Sequence, residues 1–236
     1  MTEARGRLQG QREDVRSALS KDSDQRTWGL LIDPARCTGC RACQVACKAE
    51  NNTPPGVSYM VVLEQEHGEF PYTRRRYVPL PCMHCAEASC VKVCPVSATF
   101  IQADGTVVID YMKCIGCRYC MTDCPYGASY FDFGESYADG APEEAAWERR
   151  PSPEYARAWP RESGQSPVYN VRKCHHCQHR VLRGSLPACV EACPTGAIVF
   201  GDHQNPDGPL TTAVARGPAH RLREELGNEP TTWYRG

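Results

Sequence analysis

Cys114-Ile115-Gly116-Cys117-Arg118-Tyr119-Cys120-Met121-Thr122-Asp123-Cys124-Pro125 is the stretch that decides how this chain is read. Three thiols recur every third residue, a fourth follows after three more, and a proline closes the run. A short loop with that spacing can wrap three irons on one side of a cubane 4Fe–4S cluster, while the fourth cysteine points away and serves a second cluster. The run is therefore incomplete alone.

Three further runs supply the missing partners. Cys37, Cys40, Cys43 and Cys47 repeat the x2, x2, x3 spacing; Cys82, Cys85, Cys90 and Cys94 use x2, x4, x3; Cys174, Cys177, Cys189 and Cys193 use x2, x11, x3. Four groups of four account for all 16 cysteines. Nothing is left for a disulfide or a free thiol, so one shared purpose explains the set. Zinc is the competing metal, because Cys174-x2-Cys177 with Cys189-x3-Cys193 could form a four-cysteine structural site. Three thiolates within seven residues crowd one side of a tetrahedral ion but suit a cubane, and Pro95, Pro125 and Pro194 each follow a last cysteine as in bacterial ferredoxins. The expected cofactors are four 4Fe–4S clusters.

Composition sets outer bounds. Only 8% of the 236 residues are aromatic, and the cysteine loops interrupt every long apolar run, so inorganic clusters must replace much of the core. A net charge of −1 with interspersed signs gives no support for nucleic-acid binding. No window approaches 18 consecutive apolar residues, so no membrane span is expected. The first 27 residues contain Arg5, Arg7 and Arg12 but no paired arginine and no following apolar segment, which is not the pattern of a signal peptide. No nucleophile, carboxylate pair or substrate-pocket signature is present, so bond-breaking catalysis is not expected of this chain.

Residues 1–27 read as a solvated, partly mobile extension or a strap over a partner, with a short helical pattern around Val15 to Leu19. Trp28 to Asp33 reads as a strand delivering the chain to Cys37, Gly39 as a tight turn, and Cys43 and Cys47 as one face of a helix ended by Asn51-Asn52. Pro54-Pro55-Gly56 marks a turn and Tyr59 to Leu63 a strand; Arg74, Arg75 and Arg76 suit either a charged solvent face or an acidic partner. Ala98 to Gln102, Ala103-Asp104-Gly105 and Thr106 to Asp110 form a hairpin signal. The proline-rich residues 134–167 read as a surface insertion with a short helix at Pro142 to Arg150, anchored by Trp147 and Trp159. A strand leads into the fourth group and another leaves it at Ala197 to Phe200. The tail from Gly201 reads as a surface segment ending on Trp233-Tyr234.

His84, His175 and His176 lie inside x2 loops, where they could hydrogen-bond to sulfur or face solvent; four cysteines per cluster leave no place for them as ligands. Arg41, Lys92, Arg118 and Lys173 flank cysteines, either as exposed bases or as charges that favour a reduced, more negative cluster.

The chain resembles the four-cluster electron-transfer subunits of membrane-bound molybdopterin oxidoreductases, such as polysulfide, dimethyl sulfoxide and tetrathionate reductases. The likeness runs from about Trp28 to Gly236. It is carried by Cys114-Ile-Gly-Cys-Arg-Tyr-Cys, by Pro187-Ala-Cys-Val-Glu-Ala-Cys-Pro-Thr-Gly-Ala, and by Leu226-Gly-Asn-Glu-Pro-Thr-Thr-Trp-Tyr. The long insertion and the extended N-terminus depart from it. The resemblance implies a molybdopterin-containing catalytic partner and a polytopic quinone-binding membrane partner, and hence a peripheral place at the membrane, at the periplasmic face by co-export in preference to the cytoplasmic face. It also implies an α+β fold of two nested bacterial-ferredoxin-like modules with surface insertions. In the related nitrate reductase subunits a tryptophan stands in the place of Cys117, with a three-iron cluster. The electron-transfer subunit of a formate dehydrogenase or hydrogenase is an alternative of the same fold, and a zinc-stabilised scaffold one of another class.

On this reading residues 1–27 are the N-terminal extension, 28–56 and 168–204 the outer module, 57–77 a spacer, 78–133 the inner module, 134–167 the insertion and 205–236 the tail. Only 19 residues separate Cys94 from Cys114, so the second and third groups pair and the first and fourth close around them. Crossed ligation then gives four expected sets. They are Cys37, Cys40, Cys43 and Cys193; Cys47, Cys174, Cys177 and Cys189; Cys82, Cys85, Cys90 and Cys124; and Cys94, Cys114, Cys117 and Cys120.

Overall fold

The computed structural model describes residues 2–138, 146, 148, 150–154 and 157–236. In chain order its helices are α1 (Thr2–Leu19), α2 (Ala42–Asn51), α3 (Ser89–Lys92), α4 (Tyr119–Thr122), α5 (Gln178–Val181), α6 (Ala188–Glu191) and α7 (Pro209–Ala215). Its strands are β1 (Trp28–Ile32), β2 (Met60–His67), β3 (Arg74–Pro81), β4 (Thr99–Ile101), β5 (Val107–Ile109), β6 (Ser129–Phe131), β7 (Ser152–Glu154), β8 (Arg157–Trp159), β9 (Val171–Lys173), β10 (Ile198–Asp202), β11 (Ala219–His220) and β12 (Thr232–Arg235). Separate short helices and mostly antiparallel pairs make this an α+β chain.

A four-stranded sheet in the order β10-β1-β12-β11 carries the main core. Every residue of β1 is buried, so the Trp28-Gly-Leu-Leu-Ile run is apolar on both faces. Trp28 stacks on Phe200 at 5.3 Å between ring centres. The expected hairpin is β4 with β5, in the register Thr99↔Ile109 and Ile101↔Val107. Helix α2 ends at Asn51, with Asn52 left-handed as its cap. Arg74, Arg75 and Arg76 are exposed on β3, where Arg75 pairs with Glu64 at 2.9 Å.

Three expectations are corrected. Residues 2–19 are not a loose extension but a helix packed along β10: Val15 and Ala18 are buried, Gln11 Oε1 accepts the Phe200 amide at 2.8 Å, and Asp14 Oδ2 accepts that of Asp202 at 3.0 Å. β10 is a sheet edge, and these side chains satisfy its free amides. The end of the tail does not lie over the surface. Strand β12 pairs parallel to β1 (Leu30↔Thr232, Ile32↔Tyr234), and buried Tyr234 donates to Pro79 O at 2.8 Å.

The third correction concerns the insertion. Strands β7 and β8 pair, and Ser152, Glu154 and Trp159 are buried; Trp159 meets the Tyr111 ring edge-on at 5.3 Å. Trp159 anchors this part to the chain as expected, while buried Ser152 and Glu154 take it into the interior. The expected helix at Pro142 to Arg150 falls largely outside the described residues, as does Trp147.

Candidate metal centres

The two Cys-x-Gly-Cys-Arg-x-Cys loops fold alike. Gly39 and Gly116 have φ of +70° and +68°; a Cβ at Gly39 would lie 2.5 Å from the Tyr77 ring, and one at Gly116 would lie 2.4 Å from Tyr169 O. Arg41 and Arg118 follow in the same left-handed region and open α2 and α4. The tight turn folds the first two cysteines back over the helix that carries the third.

The thiols gather in quartets that cross the runs. One cavity is lined by Cys37, Cys40, Cys43 and Cys193, a second by Cys82, Cys85, Cys90 and Cys124, and a third by Cys94, Cys114, Cys117 and Cys120. The remaining four form a group of three buried thiols and the half-buried Cys174: burial, and then the sulfurs of Cys177, Cys189 and Cys174, push the Cys47 thiol far up. The last cysteine of each run thus sits with a different run.

Amides are aimed at these last cysteines. In Cys94-Pro-Val-Ser-Ala98 and Cys193-Pro-Thr-Gly-Ala197 the alanine amide donates to the sulfur at 3.2 Å, and the Ala128 amide does the same for Cys124. Cys47 has no proline after it and lies within α2. Its donor is the Asn51 side chain, whose Nδ2 reaches Cys47 Sγ at 3.5 Å and Cys177 Sγ at 3.6 Å. The sequence marked Asn51 only as a helix end.

The donor set has a clear chemical demand. Burial first, and neighbouring sulfurs after it, push Cys43, Cys85, Cys90 and Cys174 up to about 12. Thiols so placed ionise together only around positive ions. Among the described residues no three Cys, His, Asp or Glu side chains converge closely enough to hold one metal ion. Four sulfurs on the walls of a space, and not around a point, fit a cubane better than a tetrahedral zinc.

The quartets follow one another. Helices α2 and α6 pack together and carry Cys43 and Cys189, linking the first group to the second, and Lys173, which lines the third cavity, directly precedes Cys174 of the second. Helices α3 and α4 pack together and carry Cys90 and Cys120, linking the third to the fourth. Of the 16 cysteines only Cys40 and Cys117 are exposed, one at each end of this line.

Its middle is a seam of buried polar groups. His84 and His176 hold the same place in their x2 loops, both with positive φ, and their rings lie 3.6 Å apart. His84 Nδ1 accepts the Val107 amide at 3.1 Å, and burial lowers both imidazoles well below the usual histidine range, so they are neutral. None of His84, His175 and His176 faces solvent. Arg41, Lys92 and Arg118 are exposed, whereas Lys173 is buried.

Beside the seam lies an ion cluster that the sequence did not reveal. Fully buried Arg172 donates to Tyr59 Oη at 3.0 Å, Asp132 Oδ2 at 2.9 Å, Ser152 Oγ at 3.0 Å and Glu154 Oε1 at 2.7 Å. Arg161 also holds Asp132, at 2.8 Å, and the hydrogen bonds from Arg161 with the charge of Arg172 lower the Asp132 carboxyl despite its burial.

Two sequence-family profiles, each described as a 4Fe-4S dicluster domain, match this arrangement: one over residues 73–139, the other over 36–99 and again over 113–198. The chain belongs to the 4Fe-4S dicluster family. As a member carrying two such domains and 16 cysteines, it holds four 4Fe–4S clusters. Among similar members of the family is a selenate reductase subunit of Mesobacillus selenatarsenatis, 46% identical over 94% of this chain and 76% of that protein. Another is the menaquinone reductase iron-sulfur cluster-binding subunit of Nitratidesulfovibrio vulgaris, 37% identical over 88% of each. A third is the iron-sulfur subunit of the arsenate respiratory reductase of a Shewanella species, 34% identical over 87% of this chain and 94% of the relative.

Proposed function

We propose that this dicluster protein is the non-catalytic electron-transfer subunit of a respiratory reductase, passing single electrons between a molybdopterin catalytic subunit and a quinone-reactive membrane subunit. The clusters supply reversible one-electron capacity; the chain holds, spaces and insulates them. The four crossed quartets are the ligand sets: Cys37/Cys40/Cys43/Cys193, Cys47/Cys174/Cys177/Cys189, Cys82/Cys85/Cys90/Cys124 and Cys94/Cys114/Cys117/Cys120. The observation that carries this reading is their linear order, with an exposed cysteine only at each end. A conductor needs two accessible ends and a dry middle.

The modules are nested: 78–133 forms the inner one, and 28–56 with 168–204 the outer one. Helix α1 and strand β12 are fastened to the outer module. The catalytic subunit covers the Cys40 end. At the Cys117 end Met112, Ile115, Tyr119, Phe133 and Tyr169 are exposed, at 53% or more of their surface. An apolar rim of this kind around a cluster suits a membrane-embedded partner. Among the described residues no helix of this chain is long and apolar enough to cross a membrane itself. The assembly sits on the periplasmic face, exported with its catalytic partner.

Purification from membranes tests this. The expected product is a complex in which quinol reduces all four clusters, with the subunit open to protease from the periplasmic side. A stable monomer that reduces a substrate with a soluble dye would refute it.

A further inference from the structure

Lys173 is 4% exposed. It directly precedes Cys174, a member of the second quartet, yet it lines the cavity of the third, with Cys82, Cys85, Cys90 and Cys124. Its Nζ donates to Cys174 O at 2.7 Å and to Val107 O, so two carbonyls from opposite sides of the seam fix it in place. Among the described residues no carboxylate forms an ion pair with it. Carbonyl dipoles do not neutralise a charge, and an ammonium buried without a counter-ion is costly. The anions left to balance it are the thiolates and the cluster they would hold.

Reduction adds one negative charge to a cluster. A nearby cation favours that charge, and more so in a dry site, where little water screens it. Arg41 and Arg118 also line cavities, but both are exposed and so act through solvent. The asymmetry lies at the step between the modules. We propose that Lys173 sets the reduction potential of the cluster in the Cys82/Cys85/Cys90/Cys124 cavity, holding it higher than its thiolates alone would allow. An electron delivered at the Cys117 end thereby meets a favourable step from the fourth quartet into the third, at the edge of the seam. This rests on the ligand sets proposed above.

The test uses the whole complex carrying Lys173→Met, Lys173→Gln or Lys173→Arg, titrated potentiometrically and followed by electron paramagnetic resonance, with iron and sulfide counted on each sample. The third cluster's wave is the one that disappears in Cys124→Ser. Met and Gln should move that wave to lower potential and leave the far pair unmoved, while Arg should keep it near its original place. An unmoved wave in Lys173→Met with all four clusters present would overturn the proposal. So would an equal fall in Lys173→Arg, which would indicate packing, or loss of the cluster in both neutral variants, which would make Lys173 an assembly residue. Fewer than four clusters in the unsubstituted complex would instead refute the functional reading itself.

Discussion

Arg172→Met should be the most destabilising single substitution away from the cysteines, because of what the side chain holds. Arg172 is fully buried and binds Asp132, Glu154, Ser152 and Tyr59. After substitution Asp132 keeps Arg161, but Glu154 loses its nearest cation, leaving His175 at 3.6 Å. Breaking one side of a buried pair costs about 3–5 kcal/mol. The exposed pair Arg75–Glu64, at 2.9 Å but with 66% and 39% of its side chains accessible, serves as control, since such pairs contribute about 0–1 kcal/mol. The assay is native-state hydrogen exchange of the β6–β9 amides, across which Tyr130 faces Arg172. Arg172→Met should speed it by roughly 10²–10⁴-fold, Arg75→Ala scarcely at all. The double variant Arg172→Met/Glu154→Gln should recover much of the loss, because the orphaned carboxylate is gone. The reasoning is refuted if Arg172→Met behaves like Arg75→Ala, or if the double variant is no better than the single.

Cys117→Ser should leave Cys94, Cys114 and Cys120 holding a three-iron cluster at the exposed end; a new 3Fe–4S resonance with lost quinone coupling and retained dye activity is expected, and intact quinone coupling would take this cluster out of the path. Removing iron should unravel residues 78–133 first, since the small apolar core they build has 6 buried residues, Trp159 and Val171 among them from outside the segment, against 19 in the main one; hydrogen-exchange mass spectrometry after chelation under mild oxidation would show the order. Gly116→Ala should cost roughly 1–2 kcal/mol from the positive φ alone, before the Tyr169 carbonyl is displaced, and should reduce iron content in proportion to lost Cys114–Cys120 clusters.

What the sequence revealed was local. The x2 spacings, the Gly39 turn, the Cys43/Cys47 helix face and the β4–β5 hairpin are fixed by neighbours along the chain, so periodicity and turn chemistry disclose them. What it concealed depends on distant partners. Gln11 and Asp14 look like solvated helix residues until β10 offers them amides 188 or more positions away. The tail looks like a surface segment because a parallel pairing with β1 leaves no hairpin signal. Arg172 sits inside Val-Arg-Lys, a short strand whose three residues are all buried, and its distant partners Asp132, Tyr59 and the insertion's Glu154 and Ser152 explain why it is tolerated there. Lys173, beside it, reads as a charge flanking a cysteine; its burial depends on Val107 across the seam.

The crossed quartets are the centre of this account, and serine substitution in the assembled complex tests them most directly. Cys37→Ser and Cys193→Ser, 156 positions apart in sequence, should abolish or convert the same potentiometric wave, while Cys174→Ser should affect a different one. If Cys193→Ser instead shares its lost wave with Cys174→Ser, its own run binds a cluster by itself and the crossed arrangement is wrong.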